Sequence, residues 1–243
     1  MIITRSEQEL AQRWPLIMAT CIGIVSSSFV LQYYSIGALL TPVTEEFGWS
    51  RAQFQAAILF SSGLGALTSP LIGWLNDKYG PRRVVLPSMI GLSLGLFTAS
   101  QIQGQLWMLF LAYGMMALLG AGTIPVTWTR AIATSFFKRR GLALGLALTG
   151  TGICASVAPH YTVWLTDHFG WRGAYMGLAL VPILLAWPRL FFLFKPLDTA
   201  ADVSIEATSD SAAALNSGLT LGEAVRGYRF WVCLLYTSDA ADE

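Results

Sequence analysis

The chain has 243 residues, of which 54% are hydrophobic and only 12% are charged, and its mean hydropathy is +0.56. These values lie outside the usual range of soluble domains and indicate a membrane protein. The formal net charge of +1 gives no sign of a nucleic-acid partner. The three cysteines have no paired spacing, which argues against a disulfide framework and a metal site, so we expect neither a metal nor a cofactor.

Six apolar stretches follow one another along the chain, each near the ~20 residues that a membrane-spanning helix needs. Short polar turns separate the first five, so a bundle of antiparallel helices is predicted. The first stretch is too long for a cleaved signal peptide and no small-residue cleavage site follows it. The stretches are residues 14–40, 54–76, 84–100, 106–136, 142–166 and 171–194.

The basic residues predict the orientation of this bundle. Twelve of the 15 Lys and Arg residues fall on one side of it, Arg51 and Arg172 fall on the other, and Arg130 lies inside a span. Positive charge collects on the cytoplasmic side of membrane proteins, where it also suits anionic lipid head groups. We therefore predict a multi-pass protein of the inner cell membrane with a cytoplasmic N-terminus.

The composition changes after the sixth stretch, so the bundle is predicted to occupy residues 1–195. Residues 196–219 are rich in Ala, Ser, Asp and Thr, have too little apolar surface to fold, and are predicted to form a cytoplasmic linker. Thr220 and Glu223 then form a capping-box pattern, which predicts the start of a seventh helix over residues 220–232.

The last eleven residues, 233–243, read CLLYTSDAADE. Three acidic residues there would be costly in hydrocarbon, just where a new helix should enter the membrane. The same stretch resembles the translation of a transposase library adapter. We therefore expect residues 233–243 to be a sequencing artefact and the chain to be the N-terminal half of a longer protein.

The turn GWLNDKYGPRR joins the second and third stretches and combines charged residues with Gly and Pro. Gly and Pro permit an abrupt reversal, and the acid is placed where it could meet a helix N-terminus or an Arg. The turn resembles motif A of the major facilitator superfamily. The resemblance implies that the turn latches the two halves of a transporter, through Gly73, Asp77, Gly80, Arg82 and Arg83.

Three further segments, SIGALLTPVTEEFGWSRA, FFKRRGLALGLALTGTG and FGWRGAY, resemble the monocarboxylate and oxalate–formate branch of that superfamily. The resemblance implies an all-α membrane protein: the six-helix N-terminal bundle of a twelve-helix major facilitator fold, built as two inverted three-helix repeats. It also implies a secondary active transporter, not an enzyme, that moves a small organic anion such as a monocarboxylate by alternating access. A coupling proton or counter-anion, membrane lipids and the missing C-terminal half are the further partners expected.

Other functions stay open as alternatives. Multidrug or other solute efflux by the same fold commonly uses a carboxylate embedded in the membrane, and the six stretches contain no acid apart from Asp77 at an end. A membrane enzyme would need a nucleophile or metal set, which is not visible. A scaffold that does not transport is opposed by motif A.

Arg130 is the predicted anion-binding residue. It lies eight residues before Lys138, or about 12 Å inside the basic girdle, where no span offers a permanent carboxylate partner. A substrate carboxylate would supply that partner. The alternative is a side chain that extends to the lipid head groups. Thr127 and Tyr113 share the helical face of Arg130.

Uncharged polar residues complete the predicted site. Hydroxyl and amide groups on the first span orient a substrate without the desolvation cost of a charge, although hydrogen bonding between helices explains them equally well. A His in the fifth span is a candidate for substrate contact or proton relay, against a structural role. The predicted substrate-binding residues are Arg130, Gln32, Tyr34, Ser28, Thr127, Tyr113 and His160.

Two other patterns predict packing rather than chemistry. The echo between FGWSRA and FGWRGA is read as two tryptophan anchors, Trp49 and Trp171, at the outer membrane surface. Glycines spaced four apart indicate close helix contacts. The pairs are Gly91 with Gly95, Gly141 with Gly145, and Gly173 with Gly177.

Overall fold

The computed structural model describes residues 13–136 and 140–193, all within one unit, Met1–Asp202. The predicted linker, seventh helix and artefactual tail lie outside these residues. Every regular element in the described part is helical. The α-helices are α1 (Trp14–Val25), α2 (Ser28–Phe47), α3 (Arg51–Tyr79), α4 (Pro81–Ser100), α5 (Leu106–Leu119), α6 (Pro125–Ser135), α7 (Arg140–Leu180) and α8 (Trp187–Leu193).

The start and end of α3 follow from local sequence. Ser50 Oγ accepts a hydrogen bond from the Gln53 N–H at 3.2 Å, and the Gln53 side chain accepts one from the Ser50 N–H at 2.9 Å, which forms a capping box. The helix ends at Gly80, whose φ of 79° favours glycine, and Pro81 begins α4 directly after it. The predicted reversal within the motif turn therefore occurs at these two residues.

Three helices of the described part are each long and apolar enough to cross a membrane. They are α3, α4 and the long helical segment Arg140–Phe192, which includes a π-helical part, Val181–Ala186. The long helix is interrupted at Gly170, where φ is 69° and ψ is 173°. This non-helical residue separates the fifth predicted span from the sixth.

Two predicted spans are not continuous helices. The first is divided between α1 and α2, which are bent by 41° and count as a fourth span when taken together. Ser27 makes the break stable because its Oγ accepts a hydrogen bond from the first turn of α2. The fourth is divided between α5 and α6 by a 3₁₀ turn, Ala121–Thr123, followed by Pro125, which lacks an N–H and suits a helix start.

The packing of the helices leaves a gap between α2 and α3, although these helices follow each other in the chain. α3 packs chiefly against α5, whereas α2 packs chiefly against α7, so α2 and α3 have little contact with each other. The largest fully buried side chains include Trp128, Tyr113 and Phe54, which fill the interior behind this gap. The gap is the groove described below.

The close helix packing predicted at paired glycines is found for one pair and is not found for another among the described residues. A Cβ at Gly91 or Gly95 would lie 2.5 or 2.8 Å from a side-chain atom of α5, so both glycines permit close packing of α4 and α5. Gly177 likewise packs on the fifth span, where a Cβ would lie 2.5 Å from a leucine methyl. Gly141 and Gly145 have no described atom within 4 Å of such a Cβ, so their predicted packing is not found among the described residues.

Candidate functional site

A groove of about 380 Å³ lies between α2 and α3, and the end of α5 and the start of α6 contribute to it. Aromatic and apolar side chains line it on α2, and small hydroxyl residues line it on α3. No residue in its described lining carries a charged side chain. The residues used in the argument below include Phe29, Gln32, Tyr33, Ser61, Ser62 and Ser69.

The two helix breaks meet beside this groove. The Ser28 N–H donates to Thr123 Oγ1 at 2.9 Å, and Ser28 Oγ donates to the Gly120 carbonyl at 3.3 Å. The Trp128 indole N–H donates to the Thr123 carbonyl at 2.8 Å. These bonds satisfy polar groups that the breaks leave free of helical partners, and they place the N-termini of α2 and α6 together.

Arg130 forms an ion pair with Asp77, which joins α6 to the end of α3. The expectation that Arg130 lacks a permanent carboxylate partner is therefore wrong, and of the two partners foreseen for Asp77 the structure contains the Arg. The side chains are 40% and 58% exposed, so both are accessible. Beside them, Asn76 Nδ2 donates to Thr127 Oγ1 at 2.9 Å, and the buried Asn76 Oδ1 has no hydrogen-bond partner within the described part of the chain.

Other residues of the motif turn have separate contacts. Arg82 Nη2 donates to the Phe191 carbonyl at 2.7 Å, and its guanidinium lies 5.6 Å from the Phe191 ring centroid. This contact ties the turn to the end of the sixth span. Arg83 is exposed, and a Cβ at Gly73 would meet no described atom within 4 Å. The close helix approach expected at Gly73 is thus not made by the described residues.

The opposite end of the bundle has its own polar cluster. Glu46 accepts hydrogen bonds from Trp171 Nε1 at 2.5 Å and from Arg172 Nη1 at 2.7 Å. Arg172 Nη2 donates to the Ile102 carbonyl at 3.1 Å. Glu46 lies beyond the apolar stretch 14–40, and the hydrogen bonds from Trp171 and Arg172 hold the pKa of its carboxyl below the ordinary value. The cluster joins the end of α2 to the start of the sixth span.

The groove includes only two of the seven residues predicted to bind substrate, Ser28 and Gln32. Gln32 Nε2 donates to Ser61 Oγ at 3.4 Å, across the groove. Arg130 does not line the groove. It lies four residues, or one helical turn, after Val126, which does line the groove.

The other four predicted residues lie elsewhere. Tyr34 is partly buried against the core, and Thr127 is fully buried in its contact with α3. Tyr113 is buried with its hydroxyl 3.0 Å from that of Tyr175. His160 is exposed, and its Nδ1 lies 2.9 Å from the carbonyl of Ser156 in its own helix.

Sequence reasoning missed the α3 side of the groove. Ser61, Ser62, Gly65 and Ser69 recur at spacings of three, four and seven residues, so they share a face of α3. This spacing is visible in the sequence and could have identified the α3 side of the groove. Among the described residues, no three His, Cys, Asp or Glu side chains are grouped as metal ligands would be.

Curated relatives with similar sequences are transport proteins. Monocarboxylate transporter 13 of Bos taurus is 32% identical over 186 residues, covering 71% of this chain and 42% of the relative. Monocarboxylate transporter 11 of Mus musculus is 30% identical and covers 76% and 40%. The Fujikurins efflux protein of Gibberella fujikuroi is 27% identical and covers 65% and 34%. The chain thus spans about two fifths or less of these relatives, none of which is named as an enzyme.

The fold is similar to that of solved transporters. The crystal structure of tetrameric PepTSo2 matches 95% of this chain and 53% of its own, with a TM-score of 0.66 and 17% identity. A bacterial homologue of the human drug peptide transporters PepT1 and PepT2 gives a TM-score of 0.62 with 15% identity. These likenesses confirm the predicted all-α fold class. The family model described as Major Facilitator Superfamily matches residues 20–238, and the chain belongs to that family.

Proposed function

We propose that the chain forms the N-terminal half of a secondary active transporter, which moves a small organic anion such as a monocarboxylate by alternating access. Its family and the monocarboxylate transporters among its relatives support this substrate class. The observation that carries the proposal is electrostatic. The described lining of the groove contains no acid, whereas the N-termini of α2 and α6 lie at it and Arg130 follows Val126 by one helical turn.

Both helix N-termini favour a negative ligand. The Ser28 and Val30 N–H groups are bound to Thr123 and Ser27, but the aligned peptide dipoles still place about half a positive charge at the N-terminal end of each helix. Ser28 and Phe29, in the first turn of α2, line the groove together with Pro125 and Val126 in the first turn of α6. An anion is therefore stabilised there without the desolvation of a charged side chain.

Arg130 couples this site to the gate. Arg130 forms an ion pair with Asp77, the acid of the motif turn. A substrate carboxylate competes for the same guanidinium and can accept two parallel hydrogen bonds from it. Substrate binding then releases Asp77, so loading of the site and opening of the latch become one event. Rocking of the two halves around the site completes the cycle.

The second half of the transporter has an open surface to pack against. Gly141, Gly145 and Gly152 share one face of α7, and a Cβ at any of them would meet no described atom within 4 Å. Small residues allow the backbones of two membrane helices to approach closely. Because the chain has about half the length of the solved transporters it resembles, we place the missing half here.

The protein is proposed to lie in the inner cell membrane with its N-terminus in the cytoplasm. The Arg82 contact joins the motif turn to the end of the sixth span. The Glu46 cluster joins segments of the other end, which the sparse basic residues predict to be outside. We propose a proton or a counter-anion as the coupling ion.

Uptake by the complete transporter in proteoliposomes tests the anion site. Arg130→Lys keeps the charge but loses the planar fork, so anion uptake should fall roughly tenfold. Arg130→Ala should abolish it. Arg51→Ala, at an exposed position on the other side of the bundle, is the matched control and should leave uptake unchanged.

The double variant Asp77→Asn with Arg130→Ala separates substrate binding from the ion pair. If Arg130 serves only to neutralise Asp77, removing both charges restores transport. If Arg130 binds the anion, the double variant stays inactive, whereas Asp77→Asn alone binds the anion more tightly because its competitor is gone. Restored uptake in the double variant contradicts the proposal.

Efflux of a larger apolar solute is the second candidate function. The similarity to the Fujikurins efflux protein and the mainly apolar lining of the groove favour it. The direction of transport in inside-out vesicles distinguishes the two. An acid embedded in the spans of the missing half would also distinguish the two functions, because efflux by this fold commonly uses such an acid.

A further inference from the structure

The α2 wall of the groove is an exposed aromatic pair. Phe29 and Tyr33 lie one helical turn apart, with ring centroids 5.9 Å apart and planes inclined by only 11°. They are 55% and 61% exposed although they line a cavity. Tyr34 meets the edge of Tyr33 at 5.7 Å and 88°, which fixes the orientation of the pair. Two nearly parallel, partly exposed rings thus line the groove and can contact whatever occupies it.

The opposite wall is built from small residues. Ser62, Gly65 and Ser69 of α3 line the groove and leave space in front of the aromatic pair. Ser69 Oγ donates to the Gly65 carbonyl at 2.9 Å, so this hydroxyl is turned to its own helix. The space between these aromatic side chains and a wall of short side chains can hold a planar group in contact with a ring. Aromatic rings prefer an offset stacked or edge-on neighbour, with centroids ~4.5–7 Å apart.

The volume of the groove also exceeds what a short aliphatic acid needs. At ~30 Å³ of liquid volume per water molecule, 380 Å³ corresponds to about thirteen waters. A three-carbon monocarboxylic acid has only about five or six atoms other than hydrogen. Sites of this size, ~300–1,000 Å³, hold larger organic ligands and bury most of their surface. Phe29 lies beside the helix N-termini. A ligand whose acid group lies at these N-termini can therefore place a ring against Phe29 and Tyr33.

We infer that the groove selects organic anions with a planar aromatic body, with the carboxylate at the N-termini of α2 and α6 and the ring against Phe29 and Tyr33. This inference rests on the proposed function, because it names the substrate class of the same site. Phe29 and Tyr33 are then specificity-determining residues. Ser61, Ser62 and Gln32 border the ring and form hydrogen bonds with polar substituents on it.

Competing uptake of phenylacetate and acetate by the complete transporter in proteoliposomes tests the inference. Phenylacetate should be preferred, and Phe29→Ala or Tyr33→Leu should reduce that preference by about tenfold, as expected for a lost stacking contact. Tyr33→Phe keeps the ring and should keep the preference. Phe97→Ala removes a phenylalanine of similar exposure, 49%, outside the groove, and should change nothing.

The outcomes distinguish this inference from the proposed function. If both acids are transported without preference for the aryl acid, or if Tyr33→Leu and Phe29→Ala keep that preference, the inference is overturned and anion transport stands. If phenylacetamide, the neutral analogue, is transported as well as phenylacetate, or if neither acid is transported, both proposals are overturned. The Leu substitution retains bulk and apolarity at position 33, so a change in selectivity there reports on the ring.

Discussion

Gly23→Ala should destabilise the bundle, because the structure leaves no room for a methyl group at this position. Gly23 lies on α1, and a Cβ there would meet the indole ring of Trp128, with 2.5 Å to Cζ3 and 2.6 Å to Cζ2. Trp128 is fully buried and its indole N–H is bound to the Thr123 carbonyl. The ring cannot move away without losing that hydrogen bond.

The expected magnitude follows from two opposing effects. Overpacking of a well-packed interior costs about 1–3 kcal/mol, and alanine regains about 0.5–1 kcal/mol relative to glycine within a helix. The midpoints of these ranges leave a net loss of about 1 kcal/mol. In a protein of this size each kcal/mol lowers Tm by about 2–4 °C, so we expect a decrease of about 3 °C.

Thermal unfolding of the detergent-solubilised protein measures this decrease. Gly63→Ala is the matched control, because it has no described atom within 4 Å of a Cβ and lies between Leu59 and Leu67, which are 75% and 79% exposed. The control should be as stable as the parent or more so. If Gly23→Ala proves no less stable than Gly63→Ala, the close packing of α1 against Trp128 is refuted.

Three shorter predictions concern the two ends of the bundle and the end of the chain. Because the folded pKa of Glu46 is lowered by its partners, the Glu46 cluster stabilises the fold above the ordinary carboxyl pKa and loses this contribution as the pH falls through the folded value. Glu46→Gln should remove that pH dependence from the thermal unfolding. Impermeant thiol reagents should label a Cys at Gln103 from outside and a Cys at Lys78 only from inside, and the reverse pattern would refute the orientation. Sequencing the source gene past Val232 should find further apolar helix, whereas the same eleven-residue tail and a stop codon would end the artefact hypothesis.

The spans were predictable from the sequence because hydropathy over a long window responds to the membrane itself. The breaks within two of them were not. Ser26 and Ser27 do not lower the hydropathy enough to divide the first stretch, and Pro125 can end a helix or begin one. The positions of the two breaks depend on the contact between Ser28 and Thr123, which lie 95 residues apart in the chain.

The candidate site was predictable only in part, for the same reason. The helical face predicted to join Tyr113 to Thr127 and Arg130 is wrong, because the break between α5 and α6 separates them. Spacing also does not say which neighbour a face meets. Thr127 and Tyr113 meet partners on other helices, and Arg130 meets Asp77. The motif residue Asp77 was recognised from its turn, but its partner lies 53 residues away.

The two FGW segments show how packing adds to a local pattern. Each was read as a separate membrane-surface anchor, at positions that the three-helix repeat does not relate. In the structure Phe47 and Trp171 are in edge-to-face contact, with centroids 5.5 Å apart, and Phe47 also contacts Trp49 at 4.8 Å. Similar interfacial segments at the same end of a bundle can therefore pack on one another without being symmetry-related.

Thr123→Val tests whether the contact between the two breaks sets the geometry of the site. Thr123 is fully buried, and its hydroxyl accepts from the Ser28 N–H at 2.9 Å and donates to the Gly120 carbonyl at 2.7 Å. Valine keeps the shape but leaves these buried groups without that hydroxyl, which costs about 1–3 kcal/mol. We therefore expect a Tm several degrees lower and, because Ser28 lines the groove, a higher KM for the transported anion. Thr129→Val is the matched control, since its hydroxyl donates only to the Val126 carbonyl of its own helix. If the two variants have the same Tm and the same KM, the bond between the breaks contributes neither to stability nor to the site, and the groove owes its shape to the apolar packing around it.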